Sequence, residues 1–224
     1  MEQSHDDGEA AYEIGDCMEI VFQAVKASSQ SRPEQLLWMI DISLEDQYAI
    51  CDSCEQFIRK KKYSKKDWAE VAGSLQERLN TMPAPKPDNF SSGYHRKKVM
   101  NWLIEALERS GQRKKIIPLL EREADSCQCY EQLVDTFLQS GNSDKARDWC
   151  VKGFQKTVDN APGIAAGLEK KLRELAWQEN KFDLVAAYRA QDFFNHPSPA
   201  NYLELEQAAE KMNCWPTVRT AALS

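Results

Sequence analysis

The sequence predicts an all-α protein built as a stack of helical hairpins. Three observations support this fold class. From residue 16 onward, apolar residues recur at intervals of three and four, as in Ile20, Val21 and Ala24, which is the spacing of one helical face. No comparable stretch alternates apolar and polar residues as a strand would, and residues that mark turns recur along the chain.

Two helix starts are evident in the sequence. Ser31 stands three residues before Glu34, and Ser64 stands three residues before Asp67. A serine in that position can cap the free N–H groups of a first helical turn, and an acid three residues later completes the pattern. We therefore predict that helices begin just after residues 31 and 64.

A repeat appears when the chain is aligned on its turns. Gly111, Gly141, Asn180 and Asn213 each follow one amphipathic segment and precede another, and Gly and Asn tolerate the left-handed geometry of a helix end. Small or apolar residues recur at three fixed offsets from these turns, where the two helices of a hairpin would cross. Eight residues before the turn lie Leu103, Leu133, Leu172 and Leu205, four before it lie Leu107, Phe137, Ala176 and Ala209, and five after it lie Ile116, Ala146, Val185 and Val218.

One segment, residues 127–158, approaches the tetratricopeptide pattern. Leu133, Phe137, Gly141, Ala146 and Gly153 occupy its bulky, bulky, turn, small and small positions. Upstream pairs near 16–27 with 33–42 and 46–60 with 65–80 are interpreted as earlier hairpins, which gives about six hairpins. The predicted fold is a right-handed α-solenoid of the tetratricopeptide-like class.

The domain organisation is predicted from composition. Acids crowd residues 1–14, which lack apolar periodicity, so a disordered acidic tail is expected there. Residues 15–224 are expected to form a single helical-repeat domain. Three prolines and a Ser-Ser-Gly mark a connector at 81–95, and two domains separated by this connector are the alternative.

The overall composition indicates a cellular compartment for the protein. The chain has 224 residues and a net charge of −6 from 35 acidic and 29 basic residues, a balance that argues against generalised polyanion binding. Seven irregularly spaced cysteines and no basic, apolar leader favour a reducing, cytoplasmic location. No apolar run is long enough to cross a bilayer, so no membrane partner is expected.

The cysteines are interpreted as packing residues. Cys127 and Cys129 form a C-x-C pair followed by Cys150, but Lys152 stands where a fourth zinc ligand would be needed. Cys51 and Cys54 have redox spacing within a helical pattern that has no strand beside it, and they share a face with apolar residues. No metal site and no cofactor are predicted. Five of the six tryptophans are likewise expected on packed faces, with Trp215 covering the last hairpin.

No catalytic residues are predicted, because the chain lacks the common phosphate, nucleophile and metal motifs. The most distinctive functional feature is basic. Six cations lie within residues 59–66 and three more within 113–115, at two predicted hairpin tips. They are interpreted either as a ridge that holds phosphates or an acidic partner, or as charges that only solvate turns. This basic ridge consists of Arg59, Lys60, Lys61, Lys62, Lys65, Lys66, Arg113, Lys114 and Lys115.

Four phrases of the sequence carry a family resemblance. They are "YSKKDWAEVAGSLQERL" (63–79), "GIAAGLEKKLRELA" (163–176), "VAAYRAQDFFNHPSPANYLELEQAA" (185–209) and "WPTVRTAAL" (215–223). Together they resemble the C-terminal helical region of the SWIM zinc finger family. The resemblance implies a zinc-binding module upstream, which contacts DNA or protein, and a helical-repeat region here. This chain has no complete C-x-C…C-x-H, so no zinc ligand is transferred.

Two functions follow as expectations. The first is a non-catalytic scaffold that binds another protein or peptide along a groove, as stacked helical hairpins commonly do. The alternative is an accessory module that contacts nucleic acid through the basic ridge.

Overall fold

The structure, a computed structural model, describes residues 9–46, 58–59, 63–85 and 90–223. These ranges contain helices and no strand, so the all-α prediction is confirmed for them. A 3-10 helix, η1, covers Arg113–Lys115. The α-helices are α1 (Glu9–Ala27), α2 (Arg32–Glu45), α3 (Lys65–Thr81), α4 (Phe90–Arg109), α5 (Ile116–Cys127), α6 (Tyr130–Gln139), α7 (Ser143–Thr157), α8 (Pro162–Gln178), α9 (Phe182–Asn195), α10 (Pro199–Lys211) and α11 (Trp215–Ala222).

The chain divides into two compact units, residues 1–128 and 129–224. In the first unit α1 packs on α2, α2 packs on α3 and α4, and α4 packs on both α3 and α5. In the second unit each helix from α6 to α10 packs on the next one along the chain, α6 also contacts α8, and α11 contacts α10. Packing between sequence neighbours is the arrangement expected of helical repeats.

Three predicted boundaries differ from the structure. Residues 9–14, expected in the acidic tail, belong to α1, because Glu and Ala favour helix. Residues 1–8 lie outside the described residues. Residues 90–95, expected in the connector, belong to α4. The division between the two compact units falls between residues 128 and 129, whereas the connector is predicted at 81–95, and the single stacked array remains a prediction.

The four predicted turn residues all adopt left-handed backbone geometry. Their φ angles are 80° at Gly111, 77° at Gly141, 56° at Asn180 and 56° at Asn213. Each turn closes with the same hydrogen bond. The residue after the turn residue donates its N–H to the carbonyl of the residue that lies four positions before the turn residue. The N···O distances are 2.7 Å for Gln112 to Leu107, 2.9 Å for Asn142 to Phe137, 2.9 Å for Lys181 to Ala176 and 3.0 Å for Cys214 to Ala209. This is the Schellman arrangement, so the predicted template is a physical repeat.

Ten of the twelve apolar positions of the template are buried, as predicted. Two of the twelve, Leu172 and Val218, are only half-buried. Because the same offsets place side chains in the interior of every hairpin, each turn sets which residues its two helices share. The buried members are Leu103, Leu107, Ile116, Leu133, Phe137, Ala146, Ala176, Val185, Leu205 and Ala209.

Both predicted helix starts are present as complete capping boxes. The backbone N–H of Ser31 donates to the Glu34 carboxylate at 2.9 Å, and that of Ser64 donates to Asp67 at 2.7 Å. The side-chain hydrogen bond with Ser31 lowers the pKa of Glu34. Carboxylates bound in this way also complement the positive end of the helix dipole.

A buried ion pair joins α4 to α5 in the first unit. Arg96 donates from Nε to Oε2 of Glu123 at 2.7 Å and from Nη2 to Oε1 at 3.1 Å. Its remaining nitrogen, Nη1, donates to the carbonyl of Met82 just after α3, at 3.1 Å. The two side chains are only 11% and 2% exposed, so bidentate geometry is needed to offset their loss of hydration. No local sequence pattern predicted this contact.

Helices α6, α7 and α8 approach closely at Gly153. A Cβ atom placed there would lie 2.7 Å from Cδ1 of Leu168 and 2.9 Å from Cβ of Tyr130. The small position predicted from the tetratricopeptide pattern is therefore required by packing. In the described part of the chain, no helix combines the length and apolarity that a membrane span needs.

We expect Gly153→Ala to lower the free energy of unfolding by about 1–3 kcal/mol, because the added methyl overpacks the contact with Tyr130. The matched control is Gly73→Ala in α3, where nothing lies within 4 Å of the added carbon. That change should raise the free energy of unfolding by about 0.5–1 kcal/mol through helix propensity. Urea unfolding followed by circular dichroism measures both. Equal effects at the two glycines would contradict this account of the packing.

Candidate functional site

The basic ridge predicted from the sequence lies in the first unit, and the structure describes part of it. Lys60, Lys61 and Lys62 lie outside the described residues. Lys65 and Lys66 are exposed at the start of α3, and Lys66 lies 4.0 Å from Glu70. The remaining tip, residues 113–115, forms η1 between α4 and α5, and all three of its cations are exposed.

Arg59 contacts two residues of another helix, α4. Its Nε lies 3.1 Å from Oε2 of Glu105, and its guanidinium lies 5.2 Å from the centre of the Trp102 ring. Both contacts use the charge that a ligand would need. The continuity of the nine residues as one ridge remains a prediction.

The cysteines at the opening of the predicted repeat are core residues. Cys127, Cys129 and Cys150 are buried, as the packing interpretation predicts. Burial raises the pKa of Cys127 to about 11 and that of Cys150 to about 12, so both are thiols at neutral pH. Cys51 and Cys54 lie outside the described residues.

Within residues 9–46, 58–59, 63–85 and 90–223, no three His, Cys, Asp or Glu side chains form a group that could hold a metal ion. Cys17 is exposed, and Cys214 is half-buried with its thiol donating to the carbonyl of Ala209 at 3.5 Å.

The second unit contains a cleft that the sequence did not indicate. It lies between α8, α9 and α10 and has a volume of about 300 Å³. Charged side chains line most of it, and Trp177 and Val185 are its apolar residues. The lining residues are Lys170, Arg173, Glu174, Trp177, Gln178, Val185, Arg189 and Glu204.

Ion pairs across the helices hold the walls of this cleft. Arg173 of α8 pairs with Asp192 of α9, and Arg189 of α9 pairs with Glu204 of α10. Arg189 also lies 3.9 Å from Asp192. These half-buried pairs fix the orientation of both arginines and neutralise their charges. The walls are therefore organised before any partner binds.

The remaining charged groups of the cleft are open to a partner. Lys170 and Glu174 lie one turn apart on α8, and neither has an ion-pair partner in the part of the chain that the structure describes. Trp177 continues this face of α8. Its indole is 42% exposed and packs edge-on against Phe182, with ring centres 5.4 Å apart.

Trp177 corrects one sequence prediction, since five of the six tryptophans were expected on packed faces. Trp68 and Trp102 are buried, but Trp177 is among the exposed large apolar residues. Helical spacing placed it on α8 without showing that neighbouring helices leave this part of the face uncovered. Val185, at a template position, is buried beside it.

The raised pKa of Cys150 predicts a stability that falls in alkaline solution. Below about pH 8.5 the thiol is protonated in both states. At higher pH the unfolded chain releases the proton, whereas the folded chain keeps it until about pH 12, so the free energy of unfolding decreases. Between pH 8 and pH 10 the free energy of unfolding of Cys150→Ala should therefore decrease less than that of wild type. The difference between the two should be at most about 1.4 kcal/mol per pH unit.

Urea unfolding under reducing conditions measures this difference, and Cys17→Ala, at an exposed thiol, is the control. Parallel pH profiles for wild type and Cys150→Ala would contradict the assignment.

Comparison of the chain with protein-family models, curated proteins and solved structures gave no match. The resemblance to the SWIM zinc finger family therefore continues to depend on the four phrases of the sequence alone.

Proposed function

We propose that this chain is a non-catalytic helical-repeat scaffold whose cleft between α8, α9 and α10 binds a segment of another protein. The observation that carries the proposal is the half-exposed indole of Trp177, which lines this cleft. Leaving so large an apolar ring in water is unfavourable, and burying it against a partner would recover that free energy. Tryptophan is also among the residues that most often dominate binding energy at interfaces.

The charges around Trp177 supply the selectivity of the proposed site. Lys170 and Glu174 present opposite charges one turn apart, so a bound segment would be oriented by an acid beside Lys170 and a base beside Glu174. The braced arginines keep the cleft from rearranging on binding. Such preorganisation lowers the entropic cost of association.

The family and compartment belong to the same proposal. The four resembling phrases support assignment of the chain to the helical region of a SWIM zinc finger protein, with the tetratricopeptide-like, right-handed solenoid as its architecture. The abundance and irregular spacing of cysteines support a cytoplasmic location. A helical scaffold beside a zinc-binding module would recruit a partner protein to whatever that module contacts.

A second candidate function rests on η1. Arg113, Lys114 and Lys115 are three consecutive exposed cations, and the structure gives them no ion-pair partner within the residues it describes. Such a cluster suits a phosphate backbone, and it supports the alternative of an accessory nucleic-acid contact.

Peptides selected from a phage-displayed random dodecamer library test the cleft. We expect the selected peptides to bind Trp177→Ala at least about tenfold more weakly than wild type, measured by fluorescence anisotropy. The matched control is Val151→Ala, because Val151 lies on α7 and has the same 42% exposure. Its affinity should stay within about twofold. Selected peptides that bind Trp177→Ala as tightly as wild type would refute the cleft.

The double variant Lys114→Glu/Lys115→Glu separates the two functions. The scaffold predicts unchanged affinity for the selected peptides, because no residue of η1 lines the cleft. A nucleic-acid module predicts instead that a fluorescein-labelled DNA duplex or RNA strand binds wild type and loses affinity steeply between 50 and 200 mM salt. Salt-sensitive binding that the double variant abolishes would favour the alternative.

A further inference from the structure

Three of the four hairpins carry a carboxylate six residues before their turn residue. These acids are Glu105 in α4, Asp135 in α6 and Glu174 in α8. Glu105 and Asp135 each pair with a cation of this chain. Glu174 is exposed and has no ion-pair partner in the ranges that the structure describes. One acid of the repeat therefore lacks the cation that its equivalents have.

The fourth hairpin explains why Glu174 lacks this contact. Asp135 pairs with Lys171, which stands nine residues before the turn residue of the next hairpin. In the hairpin after Glu174, the residue at that position is Glu204. Glu204 lines the same cleft as Glu174 and pairs with Arg189. A carboxylate thus stands where the preceding hairpin has a lysine, so Glu174 is left for a cation from a partner.

Helix α8 does not neutralise Glu174 itself. Lys170 lies four residues before Glu174, and this order of charges is the less favourable one on a helix. In α4, Arg109 lies four residues after Glu105 and pairs with it, with 2.8 Å between Nε and Oε1. The corresponding residue after Glu174 is the uncharged Gln178. The carboxylate of Glu174 therefore stays available in the cleft.

The first unit shows which cation suits an acid near a tryptophan. Arg59 lies 3.1 Å from Glu105, and its guanidinium lies 5.2 Å from the centre of the Trp102 ring. Arg109 also pairs with Glu105, and its guanidinium lies 5.0 Å from the centre of the Trp68 ring. A planar guanidinium can pair with a carboxylate and lie over an indole at the same time. Both cations on this acid are arginines in contact with tryptophan.

Glu174 and Trp177 present the same two groups in the cleft. They are three residues apart on α8, as Trp102 and Glu105 are in the opposite order on α4, so each pair shares one helix face. The indole of Trp177 is 42% exposed, and no cation among the described residues lies over its ring. The acid and the ring are both accessible to one incoming side chain.

We propose that the cleft takes an arginine side chain of the bound segment, with its guanidinium paired to Glu174 and stacked on Trp177. This inference rests on the proposed function and specifies the partner as an arginine-containing segment. Charge complementarity with Glu174 selects a cation, and the indole favours the flat guanidinium over the compact ammonium of lysine.

The dodecamer peptides selected against the wild-type chain test this proposal. We expect them to share an arginine. In the tightest of them, that arginine is replaced by citrulline, which has nearly the same shape without the charge, or by lysine, which keeps the charge without the planar group. By fluorescence anisotropy, citrulline should weaken binding at least about tenfold and lysine at least about threefold.

The variant Glu174→Gln should bind the arginine peptide at least about fivefold more weakly than wild type. Its affinity for the citrulline peptide should stay within about twofold of wild type, because the carboxylate acts through the guanidinium. The matched control is Glu210→Gln, an exposed acid of α10 that does not line the cleft. That change should leave both affinities within about twofold. Circular dichroism checks that the variants keep their helical content.

Three outcomes would overturn the arginine contact alone: selected peptides without a shared arginine, equal affinities of the arginine and lysine peptides, or an equal loss of both peptides in Glu174→Gln. In each case, a loss of binding in Trp177→Ala would still support the cleft. A library that yields no binder, or peptides that bind Trp177→Ala as tightly as wild type, would refute the cleft and the arginine contact together.

Discussion

Repeated closure of a helical hairpin by one left-handed residue is the constraint on which most of this structure depends. A helix end leaves carbonyl groups without partners, and the Schellman hydrogen bond satisfies one of them while reversing the chain. Gly111 and Gly141 meet the backbone requirement without a side chain, and Asn180 and Asn213 meet it with a residue that tolerates the region. Once the turn is set, the residues at fixed offsets from it must face one another.

Those facing residues explain why no hairpin is self-sufficient. Ala146 and Gly153 are small because α7 lies against neighbouring helices, and Gly153 leaves no space for even a methyl group beside Tyr130. Close approach of this kind buries backbone as well as side chains. Each hairpin therefore needs a neighbouring hairpin to bury its remaining apolar face. The same dependence leaves exposed apolar residues where no described helix packs, as at Ile14, Ile20 and Val21 of α1.

The proposed cleft of the second unit depends on how its charges are arranged. Around the cleft of the second unit, Arg173 and Arg189 are neutralised by partners on adjacent helices, so only Lys170 and Glu174 remain to orient a ligand. A braced site of mixed charge suits one oriented segment. This arrangement is a property of packing as much as of composition.

The sequence by itself determined the local features of this protein: its helical class, the capping boxes at Ser31 and Ser64, the four turns and the buried template. Each depends on residues close together in the chain, where backbone sterics and hydrogen bonds between near neighbours decide the conformation without distant contacts. Only the tertiary structure decided that Trp177 is exposed, that Arg96 meets Glu123 across two helices, and that Arg59 is already paired. These outcomes depend on which helix faces meet, and the separation of such partners along the chain leaves no periodic trace in the sequence.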